Sequence, residues 1–316
     1  MASIGIDIGQ AKTLLEDEQV VGIPTETVYG LAGNALSEHA ILKIFEVKNR
    51  PKFDPLIAHT NSIRKANILF KTIPQKATQL AEAFWPGPLT LLLNKKEVVP
   101  DLLTSGHSRV AIRIPNHPLT LELLSQLNFP LAAPSANPFG YVSPTSARHV
   151  DDQLGEKVPY ILDGGESLVG VESTIVGFEK MKPIVYRLGG ITLEALEHVV
   201  GPLEIAVNAS SNPSAPGMMK SHYSPGKKLI IGDIAHLLSA HNSTTTGIIS
   251  FSKGFDVPLE NSFILSPRRN LNEAARNIFK ALRKMDAPHI KVILAEYLPE
   301  KGLGRAINDR LKRASI

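Results

Sequence analysis

The sequence predicts an α/β protein built on a large twisted mixed sheet, with a second, small parallel-sheet domain towards the C-terminal end. Three observations predict it. Through the first two-thirds of the chain, short apolar runs alternate with segments of helical periodicity, the pattern of a sheet covered by helices. A polar, breaker-rich stretch without periodicity interrupts the pattern at 208–226. Beyond it, a shorter strand–helix alternation resumes. The expected division is a large α/β domain over 1–207, a linker over 208–226 and a small α/β domain over 227–316.

Each element follows from local pattern. Residues 19–25 read as a strand. Residues 37–48 read as a helix capped by Ser37, with Ala40, Ile41, Ile44 and Phe45 as its stripe and Pro51 closing it. Strands are expected at 56–60 and 89–94, and a helix at 74–85, stopped by Pro86-Gly87-Pro88. Residues 109–115 alternate cleanly: Val110, Ile112 and Ile114 fall on one face, Arg109, Ala111 and Arg113 on the other. Helices follow at 117–127 and 146–154, and strands at 131–133, 160–163, 171–177 and 183–188. In the second domain, strands are expected at 228–231, 246–251, 263–265 and 291–295. A long amphipathic helix is expected at 270–285, where Asn270 and Glu273 have the spacing of a capping box.

Composition narrows the function classes. The 316 residues carry 34 basic and 30 acidic side chains, a net charge of +4, which favours anionic partners only mildly. With no cysteine, disulfides and thiolate-bound zinc are excluded. No secretory leader and no run approaching ~18 apolar residues is present, so a soluble cytoplasmic protein without membrane association is expected.

Self-sufficient catalytic motifs are missing. There is no phosphate-binding G-x-x-x-x-G-K-[ST], no G-x-G-x-x-G after a strand, no H-E-x-x-H and no G-x-S-x-G. The ten histidines show no metal-ligand spacing, so no protein-held metal is expected. Ser62-Ile63-Arg64-Lys65 matches S-x-x-K formally, but it reads as the start of a helix.

What remains is a constellation at strand ends, where α/β sheets bind ligands. Thr25 and Thr27 flank Glu26. Lys48, Arg50 and Lys52 surround Pro51. His59 ends a strand, and Arg113 sits mid-strand, where an unpaired buried charge would be costly. Ser135 and Asn137 share a loop, Thr145 precedes a helix, and Val171-Glu172-Ser173-Thr174 carries three polar groups in a row. Arg187 ends a strand before Gly189-Gly190, and 218–226 holds a histidine and an aromatic that a passive linker does not need. Cations, hydroxyls and exposed backbone suit alignment of a phosphate chain more than covalent catalysis. No catalytic nucleophile with an adjacent base stands out.

These segments, in this order, resemble the YrdC-like family over roughly residues 10–205. The stretches 214–225 and 302–311 resemble its two-domain threonylcarbamoyl-AMP synthase form. The resemblance implies a YrdC-like twisted α/β sheet with a concave basic face and a Rossmann-like C-terminal domain. It implies that L-threonine, bicarbonate and ATP are joined into L-threonylcarbamoyl-AMP and pyrophosphate, with Mg²⁺ arriving on ATP. The product would pass to a downstream tRNA-modifying transferase; direct tRNA contact is left open. By motif match, Thr27, His59, Arg113 and Ser173 would hold threonine. Lys48, Arg50, Asp54, Ser135, Asn137, Thr145, Arg187 and Tyr223 would contact ATP, as would Arg109 through its backbone, with Tyr223 as a lid. Asp54 beside a polyphosphate requires Mg²⁺ or a basic neighbour. The competing expectation is a non-catalytic RNA-binding module on the same fold.

Overall fold

The computed structural model describes residues 1–206 and 222–316. The strands in chain order are β1 (Ser3–Gly5), β2 (Val21–Ile23), β3 (Gly30–Asn34), β4 (Ile57–His59), β5 (Leu89–Asn94), β6 (Arg109–Arg113), β7 (Leu131–Ala132), β8 (Tyr160–Leu162), β9 (Thr174–Glu179), β10 (Lys182–Arg187), β11 (Glu204–Ile205), β12 (Lys228–Ile231), β13 (Thr246–Ser250), β14 (Ser262–Ile264) and β15 (Val292–Ala295). The α-helices are α1 (Ile8–Glu16), α2 (Glu38–Lys48), α3 (Ile63–Ala66), α4 (Gln75–Phe84), α5 (Asp101–Thr104), α6 (Pro118–Gln126), α7 (Ala147–Leu154), α8 (Leu193–Val200), α9 (Ile234–Leu238), α10 (Leu271–Met285) and α11 (Gly304–Ala314).

Strands β1 to β11 form one mixed sheet in the order β1-β8-β2-β3-β7-β4-β6-β5-β9-β10-β11. Strands β12 to β15 form a separate parallel sheet in the order β12-β15-β13-β14. The centre of the large sheet sets the site. Parallel pairing of β4 with β6 puts His59 opposite Arg113, and antiparallel pairing of β5 with β6 puts Thr90 opposite Arg113. Partners directly opposite point to the same face, so these three side chains form one row. Both faces of β6 are buried: Val110 and Ile112 join the main core, and Ala111 joins a smaller cluster with Ile57, Leu92 and Ile175.

The two sheets share packing. Val28, Val142 and Val171 from the large-sheet side lie in one apolar cluster with Tyr223 and with Ala274, Ala275, Ile278 and Phe279 of α10. The approach is closest at Gly170, where φ is +78°. A Cβ there would lie 2.3 Å from the Arg276 Cα and 2.5 Å from the Ala275 carbonyl oxygen. Only glycine accepts both the left-handed backbone and the contact.

Several local expectations change. The strand expected from 171 begins at Thr174, which leaves Glu172 and Ser173 in the preceding loop. There they are free of the alternation that a ladder would impose. Asn270 caps α10 through the amides of Asn272 and Glu273, but Glu273 does not return the bond. It accepts instead from the Ser266 hydroxyl, and Ser266 takes the Asn270 amide. Ser62 caps α3, the helix start that the S-x-x-K stretch predicts. The strand β3, Gly-Leu-Ala-Gly-Asn, is absent from the local reading because its small residues have weak strand preference; its pairing to β2 and β7 makes it a strand. Residues 208–221 of the expected linker lie outside the described residues.

Candidate active site

Strand ends and loops around the central row enclose a cavity of about 50 Å³. That is room for a few ordered waters. Its floor is Ile57, His59 and Arg113, and Thr27 and Val28 form one wall. Ser135 with Ala133 and Pro134 forms a second wall, and Glu172, Ser173 and Arg187 a third. Arg50, Pro55 and Leu56 line another side, and His222 and Tyr223 cover it.

Arg113 is 4% exposed and makes three kinds of contact. It donates to the Thr27 hydroxyl at 2.8 Å and to the Gly87 carbonyl at 3.2 Å, and it pairs with the Glu26 carboxylate at 2.7 Å. The Thr25 hydroxyl lies 2.8 Å from that of Thr27 and donates to the Val28 carbonyl, which tightens the turn. Opposite, Arg187 donates to the Ser173 carbonyl and hydroxyl at 3.0 and 2.9 Å. The Ser173 hydroxyl also meets Thr90 at 2.7 Å. Burial pulls the Arg187 guanidinium down to about 10, still cationic at neutral pH. His59 is driven down to about 3, first by burial and then by the Arg113 charge. It is a neutral imidazole, with Nδ1 3.1 Å from the Ile57 carbonyl oxygen as its donor.

Arg50 and Asp54 are a buried pair 2.8 Å apart. Arg50 also donates to the Asp54 and Pro55 carbonyls. Burial pushes the Asp54 carboxyl up and Arg50 opposes it, so the basic neighbour that Asp54 requires is Arg50. Asp54 does not line the cavity. Lys48 does not reach it either: its buried ammonium turns to the carbonyls of Ser135 and Asn137 and holds that loop to α2. Burial pulls the Lys48 amine well below its ordinary value.

Three further residues of the expected ATP set stand away from the cavity. Arg109, at the opposite end of β6 from Arg113, donates to the Tyr186 hydroxyl at 2.9 Å and stacks on that ring. The buried Asn137 amide is spent on the Pro138 and Tyr141 carbonyls. The buried Thr145 lies with its hydroxyl 3.3 Å from the His149 Nδ1. Of the expected residues, Thr27, Arg50, His59, Arg113, Ser135, Ser173, Arg187 and Tyr223 line this cavity, and Lys48, Asp54, Arg109, Asn137 and Thr145 stand around it.

Four participants lie outside the expected ligand-contact set, though three of them stand in the strand-end and linker stretches singled out in the sequence. Glu26 pairs with Arg113. Glu172 lines the cavity, accepts the Ser143 hydroxyl at 2.6 Å and pairs with Arg310 at 2.9 Å. His222 packs edge-on against Tyr223 with ring centroids 4.1 Å apart. Arg310 had a readable signal: it interrupts the apolar stripe Ala306, Ile307, Leu311, Ala314 of α11, where only a paired cation is tolerated. Tyr223 itself has φ 64°, a strained backbone for a non-glycine residue. Its phenol is pushed up to about 12 by burial and remains protonated.

Comparison with known proteins finds matches along nearly the whole chain. The Sua5_yciO_yrdC family model, described as telomere recombination, matches residues 13–189. A second model, the threonylcarbamoyl-AMP synthase C-terminal domain, matches residues 191–315. The threonylcarbamoyl-AMP synthase of Pyrococcus abyssi is 43% identical, over 96% of this chain and 93% of its own length. That of Bacillus subtilis is 39% identical, over 98% and 92%. The crystal structure of P. abyssi Sua5 complexed with L-threonine superposes with a TM-score of 0.92 at 40% identity, covering 100% of this chain and 97% of that one. With both parts matched in order and the fold shared end to end, the chain belongs to the Sua5/YciO/YrdC family, in the two-domain form that carries the threonylcarbamoyl-AMP synthase C-terminal domain.

Proposed function

We propose that this protein condenses L-threonine, bicarbonate and ATP into L-threonylcarbamoyl-AMP and pyrophosphate, a nucleotidyl transfer that serves threonylcarbamoyladenosine modification of tRNA. One observation carries the reading. Two buried arginines, Arg113 and Arg187, converge on one cavity, each hydrogen-bonded to a hydroxyl there, Thr27 and Ser173. Such a site selects a small anion that also carries hydrogen-bonding groups.

In this reading Arg113 takes the threonine carboxylate, with Thr27 and Ser173 beside it. The neutral His59 is a polar contact, since a group titrating near 3 is a poor base at neutral pH. The threonine amine, deprotonated, adds to the carbon of carbon dioxide and loses a proton to solvent, or adds to bicarbonate with loss of water; either route gives the carbamate. One oxygen of the resulting carbamate attacks the α-phosphorus, and the bond to the β-phosphate oxygen breaks to release pyrophosphate. Arg50, Ser135 and Arg187 face the nucleotide, and Lys48 acts through the loop it holds. The segment bearing His222 and Tyr223 lines the cavity and acts as the lid, opening to admit ATP and closing to exclude water.

The carboxylates at and beside the cavity, Glu172, Glu26 and Asp54, already pair with Arg310, Arg113 and Arg50. The residues therefore fit a Mg²⁺ that arrives on ATP and is held by phosphates and water, where it would neutralise phosphate charge. We assign catalysis to 1–207, the lid to 208–226 and support to 227–316. A tRNA-modifying transferase is the expected recipient of the product, in the cytoplasm. Among the described residues no helix is long and apolar enough to cross a membrane. A non-catalytic RNA-binding module would present its cations on an open face, whereas Arg50, Arg113 and Arg187 are 7%, 4% and 5% exposed. The test is mass-spectrometric detection of the adenylate with each substrate omitted in turn. Pyrophosphate release indifferent to threonine or bicarbonate would refute the assignment.

A further inference from the structure

Arg310, on the last helix of the small domain, is fully buried, yet it does not line the cavity. Its guanidinium touches three parts of the site at once. Nε donates to the Glu172 carboxylate at 2.9 Å, on the cavity wall. One terminal nitrogen donates to the Leu188 carbonyl at 2.8 Å, next to Arg187, and lies 3.0 Å from Asp309. The carbon of the guanidinium lies 5.2 Å from the centre of the Tyr223 ring, on the cavity's cover.

The same helix end also holds the cover by its backbone. The His222 amide donates to the Arg313 carbonyl at 3.3 Å, and the Ser224 hydroxyl reaches the Ala314 carbonyl at 3.4 Å.

We propose that Arg310 is a positioning residue that the small domain supplies to the active site, resting on the synthase reading above. It neutralises Glu172, whose carboxylate would otherwise face an anionic substrate across the cavity wall. It also gives the Tyr223 ring a cation to settle on when the cover closes. A charge-assisted bond and a planar stack both depend on the guanidinium shape, so lysine is a poor replacement.

The consequence is exclusion of water at the reacting phosphorus. With the cover loose, a water oxygen replaces the carbamate oxygen in attack on the α-phosphorus. The bond to the β-phosphate oxygen breaks, pyrophosphate leaves, the water proton passes to solvent, and AMP forms in place of threonylcarbamoyl-AMP.

The experiment measures AMP and threonylcarbamoyl-AMP together, from ATP, threonine and bicarbonate, corrected for decay of the product in the same buffer. The full-length wild type is compared with Arg310→Lys, Arg310→Met and the double variant Arg310→Met/Glu172→Gln. Arg310→Met should raise the AMP-to-product ratio by roughly tenfold, the factor carried by one charged hydrogen bond. Arg310→Lys should raise it less, and removing the orphaned Glu172 charge should bring the double variant back towards wild type. A purely structural role lowers both products together and leaves the ratio unchanged, because fewer molecules are folded but each folded one behaves normally. A wild-type ratio in both single variants, or a double variant no better than Arg310→Met, overturns the proposal. Should Arg310→Met not fold, Arg310→Lys and the double variant decide by the same ratio. A wild-type enzyme that makes no threonylcarbamoyl-AMP at all overturns the synthase reading instead, so the two failures are distinguishable.

Discussion

Arg113 and Glu26 pair at 2.7 Å, with side chains only 5% and 6% exposed, beneath the cavity that Arg113 faces. The cation that marks the site is therefore part of the fold before any ligand arrives. Substrate must share a guanidinium already engaged with a carboxylate, a hydroxyl and a carbonyl.

Arg113→Ala should consequently fail twice. Threonine binding should weaken by at least ~1.5–3 kcal/mol, the worth of a charged hydrogen bond. Stability should fall by about 3–5 kcal/mol, because Glu26 is left as an unpaired buried charge. Arg113→Ala/Glu26→Gln should recover much of the stability but none of the threonine affinity. Calorimetric titration with threonine and urea unfolding separate the two losses. Unchanged threonine affinity in the single variant would remove Arg113 from the role.

Lys48→Met should act on the loop. Its ammonium holds the Ser135 and Asn137 carbonyls, and losing a charged donor costs about 1.5–3 kcal/mol per bond. Urea unfolding should show that loss together with weaker ATP binding. Weaker ATP binding at undiminished stability would place Lys48 on the phosphates after all.

Tyr223→Phe should be milder than Tyr223→Ala. Phenylalanine keeps the packing against His222, Phe279 and Arg310. Alanine leaves a cavity in the core beneath the cover, a change that typically costs about 3–5 kcal/mol for a large aromatic. Thermal unfolding orders the two variants, and equal destabilisation would argue that the hydroxyl, not the ring, matters.

His59 supplies a pH test. Its folded value, about 3, lies below the unfolded value of 6.5. From pH 6.5 down towards 3 the unfolded chain binds a proton that the folded chain refuses. Stability is thus fully present above the unfolded value and is lost as the pH falls, by up to about 1.4 kcal/mol per unit. His59→Gln should flatten the dependence of unfolding free energy on pH by one proton in this window. An unchanged slope in urea titrations between about pH 5 and 6 would show that His59 is charged in the fold.

Much of this was legible in the sequence, and the rest was hidden for physical reasons. The helix at Ser37, the alternation of 109–113 and the amphipathic 271–285 rest on local periodicity, so they read directly. Arg113 was conspicuous because a mid-strand cation needs a partner, but the partner, Glu26, lies far upstream in the chain, and no local pattern connects them. Lys48 and Asp54 differ again. The family resemblance sets them beside a phosphate, and what local pattern does not show is that the fold turns one to backbone carbonyls and pairs the other with Arg50. Glu172 and Arg310 are joined across 138 positions, a contact that only the docking of the two sheets creates.

The missing side chain at Gly170 has a consequence for how this architecture can be rearranged. The α10 backbone occupies the place where a Cβ would stand, so the fit between the halves is specified by a void on one and bare main chain on the other. Grafting the small domain of a relative onto this one would therefore succeed or fail at that seam, and a single methyl group at position 170 would act as a wedge that separates the halves.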